Sequence, residues 1–147
     1  MQNILSTLDH DAELGKGTIL FGGSGFLGPY ILENYPNIVS VGRSPCPTAN
    51  RHIHGDSLAD LGALQDVDFD KVIFIIGNTD HYAMERDSIP DDEPTAFDYH
   101  TIPLIQVMEQ IKGRKISKFI HFSSVLIYDE QKIELPVSER SPIDPYK

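Results

Sequence analysis

Apolar and polar positions divide the chain into two alternating kinds of segment. Short, nearly continuous apolar runs end at glycines: Thr18–Gly22 (TILFG), Ile38–Val41 before Gly42, and Lys71–Ile76 (KVIFII) before Gly77 and Asn78. Runs of this length and punctuation predict buried strands. Arg51–His54 and Lys118–Ser123 (KFIHFS) predict two more. Helical spacing fills the gaps between them. Phe26–Tyr35 (FLGPYILENY) predicts a helix that stops before Pro36, and Leu58, Leu61 and Leu64 predict another. Thr95–Lys112 predicts a longer helix with Phe97, Leu104, Ile105, Met108 and Ile111 on one side. Thr79–Pro94 is polar, acidic and too irregular for one regular element. Residues 1–16 read either as a helix packed on the outside or as a frayed arm.

Strands alternating with helices, each strand almost wholly apolar, predict an α/β fold: a doubly wound parallel sheet covered on both faces. No internal repeat or low-complexity segment interrupts the pattern.

Bulk properties narrow the setting. A chain of 147 residues is one domain's worth. Domains of this size bury roughly two-thirds of their unfolded surface, enough for a core without covalent staples. With 22 acidic and 12 basic residues the net charge is -10, a surface that phosphate backbones repel. Nucleic acid is therefore not an expected partner, although a local basic pocket still suits a phosphorylated cofactor. A single cysteine, Cys46, cannot form an internal disulfide, which fits a reducing compartment, and its flanking prolines suggest an inert thiol in a turn. No apolar run approaches the ~20 residues needed to cross a bilayer, so no membrane association is expected. The acidic start lacks the pattern of a signal peptide, and the expected location is cytoplasmic.

The most informative segment is Gly22-Gly23-Ser24-Gly25-Phe26-Leu27-Gly28. Its G-x-x-G-x-x-G pattern falls directly between the first predicted strand and the first predicted helix. A dinucleotide site needs a tight turn, close backbone approach to the pyrophosphate and a helix start aimed at it. Gly22 would supply the turn, Gly25 the close approach and Gly28 the tight helix-on-strand packing. Ser24, Phe26 and Leu27 complete the candidate cofactor loop.

This spacing departs from G-x-G-x-x-G and resembles that of the extended short-chain dehydrogenases/reductases, the NAD-dependent epimerase/dehydratase family, which includes nucleotide-sugar epimerases. Those proteins usually carry threonine before the first glycine, where this chain has Phe21. The backbone makes the phosphate contacts, so the difference is minor. The resemblance implies a Rossmann fold, a nicotinamide dinucleotide and a small-molecule substrate. It covers most of Thr18 to Tyr146, and divides the chain into an arm or helix at 1–16 and an NAD(P)-binding Rossmann domain at 17–147.

The second predicted strand leads into Gly42-Arg43-Ser44. NAD-selective sites place an acidic residue about here for the ribose hydroxyls, whereas arginine suits a 2′-phosphate. Arg43 offers a fork of donors with a fixed charge and Ser44 a hydroxyl, which favours NADP slightly over NAD. Alternatively, Arg43 stacks on the adenine or lies in solvent. Asp56 resembles the family's aspartate that contacts the adenine ring, and could equally cap a helix. Asn78 or Thr79 is a candidate nicotinamide contact, with backbone contacts alone as the alternative.

Lys118–Asp129 (KFIHFSSVLIYD) resembles the family segment in which a strand ends at serines and continues to V-Y-G. Aligned on Ile127-Tyr128, it implies Ser124 as the catalytic hydroxyl, donating to the substrate oxygen. The family's other pair is Tyr-x-x-x-Lys, in which a lysine one helical turn away lowers the phenol's pKa from about 10. The resemblance implies Tyr146 as that tyrosine. Lys147 cannot replace the lysine four positions on, because adjacent helix residues point about 100° apart. The expectation is therefore a domain truncated at its catalytic tyrosine, lacking the C-terminal substrate-binding part and inactive alone. Val125-Leu126 follow Ser124 where 4,6-dehydratases carry Asp-Glu, so the resemblance implies an epimerase or reductase.

Departures from the family support a rival reading, a non-catalytic dinucleotide-binding module acting as a sensor or subunit. His100 stands where family members often carry asparagine, and Gly77-Asn78-Thr79 replaces an alanine-rich turn. The six histidines show no metal-ligand spacing, so no metal is expected. Asp91, Asp92 and Glu93 read as a solvated loop, and Met108 as core. A truncated sheet exposing an apolar edge makes a homo-oligomer a further expectation.

Overall fold

The computed structural model describes residues 15–55, 58, 61–77, 100–122, 138, 140 and 141. Five strands form one parallel sheet: β1 (Thr18–Phe21), β2 (Val39–Gly42), β3 (Arg51–His54), β4 (Lys71–Phe74) and β5 (Lys118–His121). Their order is β3-β2-β1-β4-β5, with every neighbouring pair parallel. The chain therefore leaves β1 toward one edge and returns to the other side of β1 through β4. The expected α/β doubly wound sheet is the observed one, and its order is that of a Rossmann fold.

The central strands are the apolar ones because both of their faces are covered: β1 is buried throughout and β4 from Val72 on, whereas β3 and β5 are exposed at both ends. Along β1 and β4, Ile19, Phe21, Val72 and Phe74 enter one core cluster while Leu20 and Ile73 enter the other. Helix α1 (Gly28–Asn34) closes the second cluster with Leu32, beside Ile38 and Cys46. Helix α2 (Ile102–Gln110) closes the first with Val107, and Ile111 follows from its C-terminal end. Phe21 and Phe74, adjacent in register, hold their rings 6.5 Å apart at the centre of the sheet. Cys46 is buried, as a packing thiol in a turn should be.

Several expectations need correction. The leucine-spaced segment is, in its described part, a 3-10 turn at Gly62–Leu64. Leu61 and Leu64 are both buried, and a three-residue spacing fits a 3-10 turn as well as an α-helix. Gly62 weakens the α alternative, and the Leu61 N–H donates to Gln110 Oε1 on α2 (3.3 Å) instead of starting a helix. On α2 the inward stripe is Leu104, Val107 and Ile111. Ile105 and Met108 lie about 100° further round and are half-exposed, at 51% and 50%. Met108 is thus not core, and Val107, absent from the expected face, is fully buried. The first helix begins at Gly28 rather than Phe26, because Ser24–Leu27 are needed for the turn. The expected helical residues 95–99 lie outside the described residues.

Candidate functional site at the carboxyl ends of the strands

Strand β1 runs directly into Gly22, a position that requires glycine. Gly22 adopts φ 96°, and a Cβ on it would sit 3.0 Å from Ile75 Cγ1 and 3.1 Å from the backbone of Ile75 and Ile76. The Gly25 N–H donates to the Gly22 carbonyl at 3.0 Å, which closes the turn. Gly28, the first residue of α1, is buried against the Gly23 backbone so closely that any side chain would overlap it. The turn at Gly22 and the tight packing at Gly28 are therefore as expected, with the Gly23 backbone as the surface Gly28 packs on.

Between these fixed ends the loop is open. Ser24, Gly25, Phe26 and Leu27 are exposed, Phe26 at 81%. Around a Cβ at Gly25 the Gly22 carbonyl alone lies close, at 3.2 Å. Phe26 and Tyr30 meet edge-on, 6.2 Å between centroids. The first turn of α1 carries neither an acidic residue nor a side-chain cap, so nothing there opposes an approaching anion.

The spatial arrangement extends the loop in two directions. On one side, Arg43 and Ser44 follow β2 and are exposed, and Arg43 makes no hydrogen bond or ion pair with the described residues. On the other side, the Ile75 N–H donates to the Phe21 carbonyl at 3.0 Å, tying the segment after β4 to the end of β1. That segment reaches Gly77, where a Cβ would lie 2.9 Å from His100 Cε1 and 3.0 Å from Nδ1. Strand order reverses at this same point, between β1 and β4, the position at which open α/β sheets bind ligands. Asp56, Asn78, Ser124 and Tyr146 lie outside the described residues, as do Thr79 and Ser123.

Three features were not singled out from sequence. Gly23 is buried, and a Cβ on it would overlap Ser40 Oγ. Ser40, fully buried on β2, faces its register partner His52 on β3, with 3.1 Å between Oγ and Nδ1. His100 was noted only as a departure from the family, whereas it packs on Gly77 and its Nε2 is buried without a hydrogen-bond partner among the described residues. A hydroxyl inside an apolar strand was the one available signal for the first two. Among the described residues no cluster of three His, Cys, Asp or Glu is placed to hold a metal, and no helix is long and apolar enough to cross a membrane.

No family model matches the chain, and no curated protein matches its sequence. Its structure does have counterparts. It is similar to a UDP-N-acetylglucosamine 4-epimerase from Bacillus cereus, with a TM-score of 0.64, 20% identity, and coverage of 88% of this chain and 44% of the other. A UDP-galactose 4-epimerase gives a TM-score of 0.66 at 19% identity, covering 87% of this chain and 44% of that one. A UDP-glucose 4-epimerase from Bifidobacterium longum, solved with NAD+ and UDP, gives 0.65 at 20% identity, with 88% and 44% covered. The chain thus spans under half the length of these structures and shares their Rossmann fold, the fold that the sequence resemblance implied.

Proposed function

We propose that this chain is the dinucleotide-binding part of an extended short-chain dehydrogenase/reductase acting on a nucleotide-sugar or similar hydroxyl or carbonyl substrate. The observation that carries the reading is the glycine loop: a Gly22 turn at positive φ, an open Gly25 and a Gly28 locked onto Gly23, all at the switch point of the sheet. A cradle in which side chains are excluded at both ends and absent at Gly25 fits a pyrophosphate approached by backbone N–H groups. The structural neighbours support the substrate class, since several were solved with NAD, UDP or a UDP-sugar.

When bound, a nicotinamide would accept and return a hydride at the substrate carbon. In the proposed reaction Tyr146 takes the proton of the substrate hydroxyl while Ser124 donates a hydrogen bond to the same oxygen. Val125-Leu126 after Ser124 leave no acid for elimination, so epimerisation or reduction is preferred over 4,6-dehydration. Asp56 would contact the adenine and Asn78 the nicotinamide side. Arg43 and Ser44 would receive a 2′-phosphate, which favours NADP, while the neighbours solved with NAD favour the unphosphorylated cofactor. Self-association through the outer strand β5, where Phe122 is exposed, belongs to the same proposal and is checked by sedimentation over a concentration series.

Calorimetric titration with NADP and, separately, NAD tests the reading. Binding of either by the folded chain supports it; binding of neither overturns it. A second reading, a cofactor-sensing or subunit role without catalysis, is favoured by His100 in place of the family's asparagine. Turnover by the full-length protein would exclude it.

A further inference from the structure

A line of three residues runs from the glycine loop to the edge of the sheet: Gly23 after β1, Ser40 on β2 and His52 on the edge strand β3. Gly23 is buried against Ser40, whose Oγ and Cβ fill the space that a Cβ on Gly23 would need. Ser40 is itself fully buried. Its register partner on β1 is Leu20, so it points into the same apolar cluster as Leu32 and Ile73. A hydroxyl in such surroundings needs a bond. The one it makes among the described residues is to His52 Nδ1, at 3.1 Å across the β2–β3 register pair. The ring's other nitrogen, Nε2, is buried without a partner among the described residues, so the hydrogen bonding of this imidazole is directed at Ser40.

We propose that His52 is a positioning residue for dinucleotide binding: it fixes the Ser40 hydroxyl, and the fixed hydroxyl sets the shape of the glycine loop at Gly23. The inference deepens the dinucleotide reading above and rests on it. A serine side chain chooses among staggered χ1 positions, and the bond to Nδ1 selects one of them. Without that bond the hydroxyl is an unpaired polar group beneath the loop, and turning toward another partner disturbs its contact with Gly23. The loop has no slack there, because Gly28 packs on the Gly23 backbone. A shift at Gly23 is therefore passed to Ser24–Leu27, the exposed segment that would wrap the pyrophosphate. An imidazole on the edge strand thus governs the phosphate cradle through one buried hydroxyl.

The experiment compares His52→Asn with His52→Leu, side chains of nearly equal size and shape. Asn places an amide atom the same number of bonds from Cβ as Nδ1, and Leu places a methyl there. Both lose the ring, so the difference between them reports the bond to Ser40. Thermal melts establish that each variant is folded at the titration temperature. Calorimetric titrations then use NAD and ADP, which share the pyrophosphate and lack a 2′-phosphate. His52→Leu should bind both about tenfold more weakly than His52→Asn, the worth of one hydrogen bond, and His52→Asn should stay near the parent. On a Ser40→Ala background the Asn and Leu variants should bind equally, since the path through Ser40 is gone. Equal affinities of the two single variants, with only their melting temperatures differing, would make the bond merely structural and overturn the proposal. A difference that persists without the Ser40 hydroxyl, or that appears with NAD and not with ADP, overturns it too. Should His52→Leu fail to fold, Ser40→Ala takes its place, and unchanged affinity for both ligands counts against the proposal in the same way. A parent that binds neither ligand overturns the dinucleotide reading and this inference together, whereas a parent that binds while the Asn and Leu variants match overturns this inference alone.

Discussion

Gly23 and Ser40 compete for one volume: a Cβ on the loop glycine would overlap the buried serine hydroxyl and sit 3.1 Å from Ser40 Cβ and 3.2 Å from Leu32 Cδ1. The loop can lie this low on the sheet because residue 23 has no side chain. Gly23→Ala should cost about 1–3 kcal/mol, as overpacking of a close-packed interior does. Adding Ser40→Ala should return part of that loss, because the hydroxyl is the nearest obstacle. Urea unfolding of the two single variants and the double variant checks the coupling; strict additivity would count against the contact.

Arg43 is exposed and makes no bond to the described residues, so its removal should leave stability unchanged. If the guanidinium grips a 2′-phosphate, Arg43→Ala should weaken NADP roughly tenfold to a hundredfold and leave NAD alone. Paired titrations read this directly. Equal effects on both cofactors would place Arg43 on the adenine instead.

Arg114 joins the segment after α2 to the loop before β4. Its guanidinium donates to the Val67 carbonyl at 3.2 Å and the Leu64 carbonyl at 2.5 Å, and lies 4.5 Å from the Phe69 ring centroid. Two carbonyls lose a charged donor in Arg114→Met, which keeps most of the aliphatic stem. The expected loss is about 1.5–3 kcal/mol, read as a lower urea midpoint with unchanged slope. Arg114→Lys should recover only part of it, because an ammonium lacks the planar fork.

Asp70 links β4 to β5. The Ser117 hydroxyl, donating to Oδ2 at 2.5 Å, holds its carboxyl below the ordinary value of 3.8 against some desolvation, and Lys71 at 3.7 Å from Oδ1 adds to this. A carboxylate lowered in the folded state contributes stability above its unfolded value and loses it as pH falls through the folded one. Ser117→Ala should therefore reduce the difference in urea midpoint between about pH 6 and about pH 3. An unchanged difference would show that this bond does not carry the linkage.

Much of this arrangement was legible in the chain. Strands β1 and β4 were readable because burial on both faces turns the alternation of side chains into a continuous apolar run, whereas β3 and β5 carry the exposed Arg51, His54, Lys118 and His121 and read less clearly. The Gly22 turn and the Gly28 packing were readable because their exclusions are local, set by φ and by the start of one helix. The inward face of α2 was not. Leu104 with Val107 and Ile105 with Met108 are two apolar stripes about 100° apart, and only docking on the sheet selects one. The same holds for Leu61 and Leu64, whose spacing suits either helix type until Gln110 takes the Leu61 N–H.

By itself, then, the sequence determined the α/β class, the parallel sheet and the place of the glycine loop, all consequences of periodicity and backbone sterics within a few residues. Tertiary structure alone decided that Gly23 must be bare because Ser40 lies beneath it, and that Gly77 must be bare because His100 lies beside it. These pairs are separated by long stretches of chain. No local pattern encodes a contact that arises only when the strand order 3-2-1-4-5 brings separate loops to one end of the sheet.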